Sequence, residues 1–372
     1  MKLVKNLSMI TVVGMFLTLA ILPVYADEGT QKQSGKVEKK QEVLTLNEVL
    51  KKLTENNLEI KKASLNLANA NVAYQKGLAS YLQTESKIDQ EQTKLIWEQA
   101  YWTFERTESQ IQLGVVSDYI NLKDLKAKFP LEEKSLAIAG RNLKRVKEKV
   151  EAGIAGKTAE LGAKINLQGA QQELNQTQRD LEKTNKSFAY SIGIENSLKY
   201  DFVTEFGFKG SSAAKSLNEY IQEALNKRKE IKFAQKDIEI ANLVVEKLTM
   251  ENASSLDIDK AKNDLKLAQI ALEKQREDIK EDVQNKYYSL KNLEEQISLQ
   301  TIQLEKSKEE LESTRQQFQM GMIIEDTLKS QEISYQKAKL NYKKNLGNYF
   351  VAYQNFLLAI GESLNFEEKN EN

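Results

Sequence analysis

The sequence predicts an all-α fold of duplicated long α-helical hairpins, of the coiled-coil or α-barrel type, with at most one short strand. Charged residues make up 29% of the 372 residues, and the helix-favouring residues Ala, Leu, Glu, Lys and Gln occur throughout. Only one proline, Pro130, follows position 26. Apolar residues recur every seven positions, and this pattern is present twice, which indicates two sets of packed helices.

The duplication rests on positions that recur after a constant interval. Gly153 and Gly193 are forty residues apart, and Gly321 and Gly361 repeat that spacing 168 positions later. Because repeated helical units of this kind do not bury their apolar faces alone, the pattern predicts assembly. The seven-spaced apolar residues before the first glycine of each pair are Val115, Leu122, Phe129, Leu136, Leu143 and Val150, and Val283, Leu290, Ile297, Leu304, Leu311 and Phe318.

Composition divides the chain into six segments. Lys2 and Lys5 precede a short apolar run, and small residues follow this run up to Ala26. This pattern predicts a secretory signal peptide over 1–26 and therefore export. The polar stretch that follows predicts a disordered linker. The segments after the signal peptide are the linker at 27–44, a first helical repeat at 45–194, a connector at 195–215, a second helical repeat at 216–362 and a polar tail at 363–372.

Capping signals and glycines give the expected helix bounds. Thr45 with Glu48, and Ser216 with Glu219, fit the capping box at a helix start. These starts predict helices over 45–77, with Gly77 as the C-terminal cap, and over 216–250. Long helices of roughly 98 Å are predicted over 86–152 and 255–319. The shorter helices predicted over 157–192 and 216–250 match one long helix when stacked end to end, and 193–215 would join them at mid-height.

Two local features qualify this scheme. Pro130 lies inside the first long helix, where it removes one backbone hydrogen bond. It predicts either a kink or a boundary between two helices, and the uninterrupted heptad favours the kink. In the connector, the alternation of apolar residues at Phe202, Phe206 and Phe208 permits the one short strand.

Composition argues against bond chemistry. The chain has no cysteine and no histidine, which removes most familiar zinc, iron and catalytic-triad sites. Its 54 basic and 54 acidic residues balance, so no basic surface for nucleic acid is expected. Most carboxylates alternate with Lys or Arg, as on solvated helix faces. The sequence therefore predicts no enzyme activity, no catalytic residues, no cofactor and no metal site.

The duplicated halves, the signal peptide and the glycine-containing turns together resemble the TolC-type outer-membrane efflux proteins over about 45–362. The opening LTLNEVLKKLTENNLEIKKASLNLANAN and the turn sequences at 150–161 and 318–328 carry the resemblance. It implies a homotrimer whose twelve long helices enclose a passive tunnel, with the helical tips meeting the adaptor, or membrane-fusion protein, of an export pump. The tip residues that would contact the adaptor are Gly153, Ile154, Ala155, Gly321, Met322 and Ile323.

The chain departs from that family in two ways. Family members carry a transmembrane β-hairpin between the first short helix and the long helix of each half. Here the junctions at 77–85 and 250–257 are too short for such hairpins, which weighs against membrane insertion. The family often has acidic residues just past the tip glycines, whereas here Glu160, Glu325 and Asp326 stand beside the matching positions.

Three aromatic residues stand far from the tips. Trp97, Tyr101 and Trp102 fall near the opposite end of the first long helix, with Trp97 roughly 84 Å from Gly153. They are interpreted either as packing between helices or as a contact with a membrane surface or envelope partner.

The sequence thus favours an exported, TolC-like helical duct or docking component of an efflux or secretion system. It would act in the cell envelope, at the outer membrane or periplasm that the resemblance implies. The alternative is a coiled-coil scaffold of the envelope that conducts nothing.

Overall fold

A computed structural model describes residues 42–208 and 215–366. The predicted signal peptide, most of the predicted linker (27–41) and positions 209–214 and 367–372 lie outside these residues. The described part contains eight α-helices and two short strands, which confirms the predicted all-α fold of long helical hairpins. In order they are β1 (Glu42–Leu44), α1 (Leu46–Asn56), α2 (Leu58–Thr84), α3 (Lys87–Glu151), α4 (Lys157–Ile192), β2 (Tyr200–Phe202), α5 (Leu217–Lys227), α6 (Lys229–Met250), α7 (Ser255–Gln319) and α8 (Glu325–Ala359).

Both predicted capping boxes form, but each first helix breaks after three turns. Thr45 and Ser216 accept hydrogen bonds from Glu48 N and Glu219 N, and each glutamate returns to the backbone of its capping residue. The predicted continuous helices over 45–77 and 216–250 are wrong, because Asn57 and Arg228 adopt extended backbone, with ψ near 125° and 127°. The Asn57 side chain caps the start of α2 by accepting from the amides of residues 59 and 60.

Gly77 does not end a helix. Helix α2 continues through it to Thr84. A Cβ at position 77 would lie 2.3 Å from Cγ2 of Thr93, so the glycine allows α2 and α3 to approach closely. Only Glu85 and Ser86 separate α2 from α3, and four residues separate α6 from α7. Both junctions are short turns, as their lengths predicted.

The long helices match their predicted bounds. Helices α3 and α7 each contain 65 residues, and α3 is continuous across Pro130. Of the two interpretations of Pro130, the helix boundary is therefore wrong. Helix α4 begins and ends at the predicted residues, Lys157 and Ile192.

The helices form a layer in which long and stacked short helices alternate. Helix α3 packs against α2 and α4, and also against α6 and α8. Helix α7 packs in turn against α6 and α8, and against α5. Two short helices therefore accompany each long one. The predicted stacking of 157–192 on 216–250 is wrong. The end of α4 meets the start of α2, where Asn57 Nδ2 donates to Ser191 O, and the start of α6 meets the end of α8, where Arg228 Nη1 donates to Ala359 O. No described helix is long and apolar enough to cross a bilayer.

The two strands adjoin the middle of the layer. Strands β1 and β2 pair in parallel, with Glu42 opposite Tyr200 and Leu44 opposite Phe202. The Tyr119 hydroxyl on α3 donates to Leu44 O at 2.9 Å and accepts from Thr204 N at 3.0 Å. The structure therefore has two strands where at most one was predicted. The unpredicted strand is β1, which consists of the last three residues of the predicted linker.

The apolar core lies around this region in each half. Phe188 and Tyr119 are fully buried in the first half, and Phe356 and Leu290 in the second. Toward the tips the heptad residues Leu136, Leu143, Val150 and Leu304 are only half-buried. The tip-ward parts of the hairpins are thus incompletely covered within one chain.

Candidate functional site at the helix tips

The chain turns at Gly153 between α3 and α4, the first tip, and at Gly321 between α7 and α8, the second tip, as the sequence predicted. Gly153 and Gly321 have φ of +73° and +70°, in the left-handed region that glycine tolerates. Ile154 N donates to Lys149 O at 2.8 Å, and Met322 N donates to Gln317 O at 2.9 Å. Gly153 N also donates to Val150 O at 3.0 Å, and Gly321 N donates to Phe318 O at 2.9 Å. Together these bonds form Schellman caps that satisfy the last carbonyls of α3 and α7.

Each turn places apolar side chains in solvent. Ile154 is 76% exposed and Met322 is 69% exposed, whereas Ala155 and Ile323 are half-buried. Ile324 and Met320 extend the exposed apolar surface of the second tip. Clustered exposed apolar side chains are typical of contact surfaces, and the predicted adaptor contact of these six tip residues stays a prediction.

At the second tip, an acid is held by the other hairpin. Arg141 Nε and Nη2 on α3 donate to Asp326 Oδ1 at 2.9 and 2.7 Å, and Arg145 Nη1 donates to Oδ2. Asp326 is buried in the first turn of α8. The hydrogen bonds from Arg141, and then those from Arg145, lower the pKa of Asp326 to about 2. The carboxylate therefore stays charged and joins α8 to α3.

At the first tip, the acid is held by its own helix. Lys157 Nζ and Lys164 Nζ lie 2.8 and 2.9 Å from the Glu160 carboxylate oxygens. The hydrogen bond from Lys157, followed by that from Lys164, lowers the pKa of Glu160 to about 2. Both partners are on α4, so this cluster connects the first tip to no other hairpin.

Sequence reasoning singled out Glu160 and Asp326 but missed Arg141 and Arg145. The two arginines are four positions apart and share a face of α3, which is a usable signal of a paired cation site. Nothing in a single sequence assigns them to an acid more than 180 residues away.

The three aromatic residues pack against neighbouring helices. Trp97 stacks on Tyr74 of α2 with ring centroids 5.4 Å apart. Trp102 contacts Phe233 of α6 edge to face at 5.9 Å. Only Tyr101 is exposed among the three. Both tryptophans are half-buried in this packing, and the envelope contact of Trp97, Tyr101 and Trp102 stays a prediction.

The lateral edges of the layer expose apolar stripes. Helix α2 exposes Leu58, Leu65 and Val72, which are seven residues apart. Helix α7 exposes Leu267 and Ile270 and, nearer the second tip, Leu299 and Ile302. Stripes at these spacings lie along one face of a helix and are normally covered by a neighbour.

The described residues contain no group of three or more acidic side chains arranged to hold a metal ion. Their strongest electrostatic features are ion pairs such as those of Asp326 and Glu160, which join helices or helix turns.

The fold is that of a known class of channels. No protein-family model matches the chain, and no curated protein matches it. Solved structures do. The CmeC outer-membrane channel of Campylobacter jejuni matches with a TM-score of 0.63 at 11% identity, over 93% of this chain and 96% of that one. The outer-membrane channel OprN matches with a TM-score of 0.63 at 13% identity, over 86% and 90%.

The open state of the MtrE outer-membrane channel of Neisseria gonorrhoeae matches with a TM-score of 0.54 at 14% identity, over 87% of this chain and 91% of that one. These proteins share the TolC-type fold. At such low identity the comparison establishes the fold, and it confirms the resemblance predicted from the sequence.

Proposed function

We propose that the chain is a wall segment of a passive helical duct, three copies of which enclose a path for export across the cell envelope. The fold shared with outer-membrane channels supports this proposal. The observation that carries it is the pair of uncovered edges, on α2 and α7, with exposed apolar stripes on both. Burying such stripes against a second copy stabilises the assembly by removing apolar surface from water.

The tips are proposed as the docking end. Ile154 and Met322 project from turns whose backbone is fixed by Schellman caps, so an adaptor would meet a preorganised apolar surface. The ion pairs from Arg141 and Arg145 to Asp326 support this role, because they hold the second hairpin against the first. At the opposite end, exposed Tyr101 is the proposed envelope contact.

The mass of the exported protein in detergent-free solution tests the assembly. We expect light scattering to give the mass of three chains. Aspartate at both Leu267 and Ile270 places charges on the edge of α7, and the double variant should be a monomer. A matched variant with aspartate at Ile154 and Met322 changes exposed tip residues and should keep the trimer. A monomeric parent protein would reject the duct and leave the envelope scaffold.

A photocrosslinker tests the docking end. Because the chain has no cysteine, Met322→Cys provides a unique attachment point for the reagent. In cells that make the protein, the tip position should crosslink to a membrane-fusion adaptor, identified by mass spectrometry. Tyr190→Cys, at an exposed site on α4 away from the tips, is the control. Identical products from both positions would contradict tip docking.

A further inference from the structure

An elongated cavity of about 780 Å³ lies along α8, between α3 and α7, and all three helices line it. Its apolar lining includes Leu311 and Ile333, both buried, and half-buried Leu131, Ile138 and Leu340. The volume falls within the usual range for small-molecule sites. More than half of the lining residues are charged or polar, among them Lys134, Arg141 and Lys308, so the apolar residues form a strip bordered by charged side chains.

The rim of this cavity carries an excess of positive charge. Arg315 is paired with Glu312 and Glu332, and Lys329 with Glu325. Lys134 of α3 and Lys308 of α7 also line the cavity and are exposed. Neither makes an ion pair with any residue in 42–208 or 215–366. Two available ammonium groups above an apolar lining fit a molecule with an apolar body and an anionic end.

The length of the cavity suits an extended occupant. From Ala127 to Arg141, both of which line the cavity, the α3 wall extends over roughly 21 Å. A long alkyl chain in its extended form therefore fits along this wall.

We propose that this cavity binds a long-chain carboxylate of the fatty-acid class, with its alkyl chain along Leu311 and Ile333 and its carboxylate at Lys134 or Lys308. The site does not depend on the proposed duct, because all its residues belong to one chain. Burial of the alkyl chain provides most of the affinity, and the lysines select an anionic head group.

Titration calorimetry of the exported protein with palmitate, below its micelle concentration and without detergent, tests the proposal. We expect saturable binding of one molecule per chain. Hexadecyltrimethylammonium, a cation whose alkyl chain also has sixteen carbons, should bind about tenfold more weakly or not at all.

Three variants locate the site. Ala137→Trp fills the cavity from an exposed position on α3 and should abolish binding. Lys134→Glu combined with Lys308→Glu should weaken binding by about tenfold or more, and arginine at both positions should restore it. Lys144→Glu, at an exposed α3 position outside the cavity, is the matched control and should change nothing. Circular dichroism verifies that each variant keeps its helix content.

The proposal is overturned if palmitate fails to saturate the parent protein or if the cationic amphiphile binds equally well. It is also overturned if Ala137→Trp, folded as the parent is, still binds palmitate. None of these results would bear on the duct, which the oligomeric mass tests separately.

Discussion

The two tips have the same backbone but are anchored differently. Both turn through a glycine at φ near +70° and close with the same Schellman bonds. Among residues 42–208 and 215–366, Glu160 of the first tip pairs only with lysines of its own helix, whereas Asp326 of the second pairs with two arginines of the first hairpin. Equivalent turns in the two halves can thus differ in whether an acid of the turn forms ion pairs with another hairpin.

The largest expected effect comes from Asp326→Asn. The substitution removes the charge that faces Arg141 and Arg145 and weakens the hydrogen bonds that join α8 to α3. We expect amide hydrogen exchange around 317–326 to accelerate on the order of tenfold, with little change around 149–160. Equal acceleration at both tips would contradict the difference in anchoring.

In the unmutated protein, low pH should weaken the ion pairs that hold the second tip against the first hairpin. The pKa of Asp326 is about 2 in the folded protein, below the roughly 3.9 of an unfolded chain. The stabilisation is therefore present above about pH 4 and is lost as the pH falls toward 2. Exchange around 317–326, corrected for its intrinsic pH dependence, should rise over that window in the parent protein. In Asp326→Asn the dependence should be flatter, and an identical profile would contradict the assignment.

Gly153→Ala and Gly321→Ala separate backbone strain from anchoring. A Cβ at either position meets no atom within 4 Å, so the cost comes only from the left-handed backbone. We expect each substitution to destabilise its own turn by about 1 kcal/mol, measured by exchange of the local amides. The two values should be similar. A large inequality would show that the two turns are not equivalent in backbone energetics.

The smallest effect is expected for Glu160→Gln. Its ion pairs lie within one helix, where exposed lysines contribute little. Hydrogen exchange at the second tip should not change, and exchange at the first should change less than twofold, an order-of-magnitude expectation for such pairs. A response as large as that of Asp326→Asn would show that the first tip is also anchored through its acid.

Local signals in the sequence predicted much of this fold. The bounds of α4 and α7 followed from glycines and capping residues, because these act within a few positions. The breaks at Asn57 and Arg228 did not, since each depends on contacts such as those from Arg228 to Asp282 and to Ala359 O. Likewise, strand β1 exists only through its pairing with a distant segment.

The candidate site was predicted in the same uneven way. The tip turns were placed from two glycines, since backbone conformation at a helix end is local. The anchoring of Asp326 by Arg141 and Arg145 was not, because it joins residues of different hairpins. The aromatic residues were located, but their packing on Tyr74 and Phe233 became visible only in the structure.

Electron microscopy of the protein without residues 1–26, in detergent-free solution, tests the duct most directly. Class averages viewed along the long axis should show a ring of helices around an open centre, with the symmetry of three chains. Single rods, or particles filled along their axis, would contradict the account.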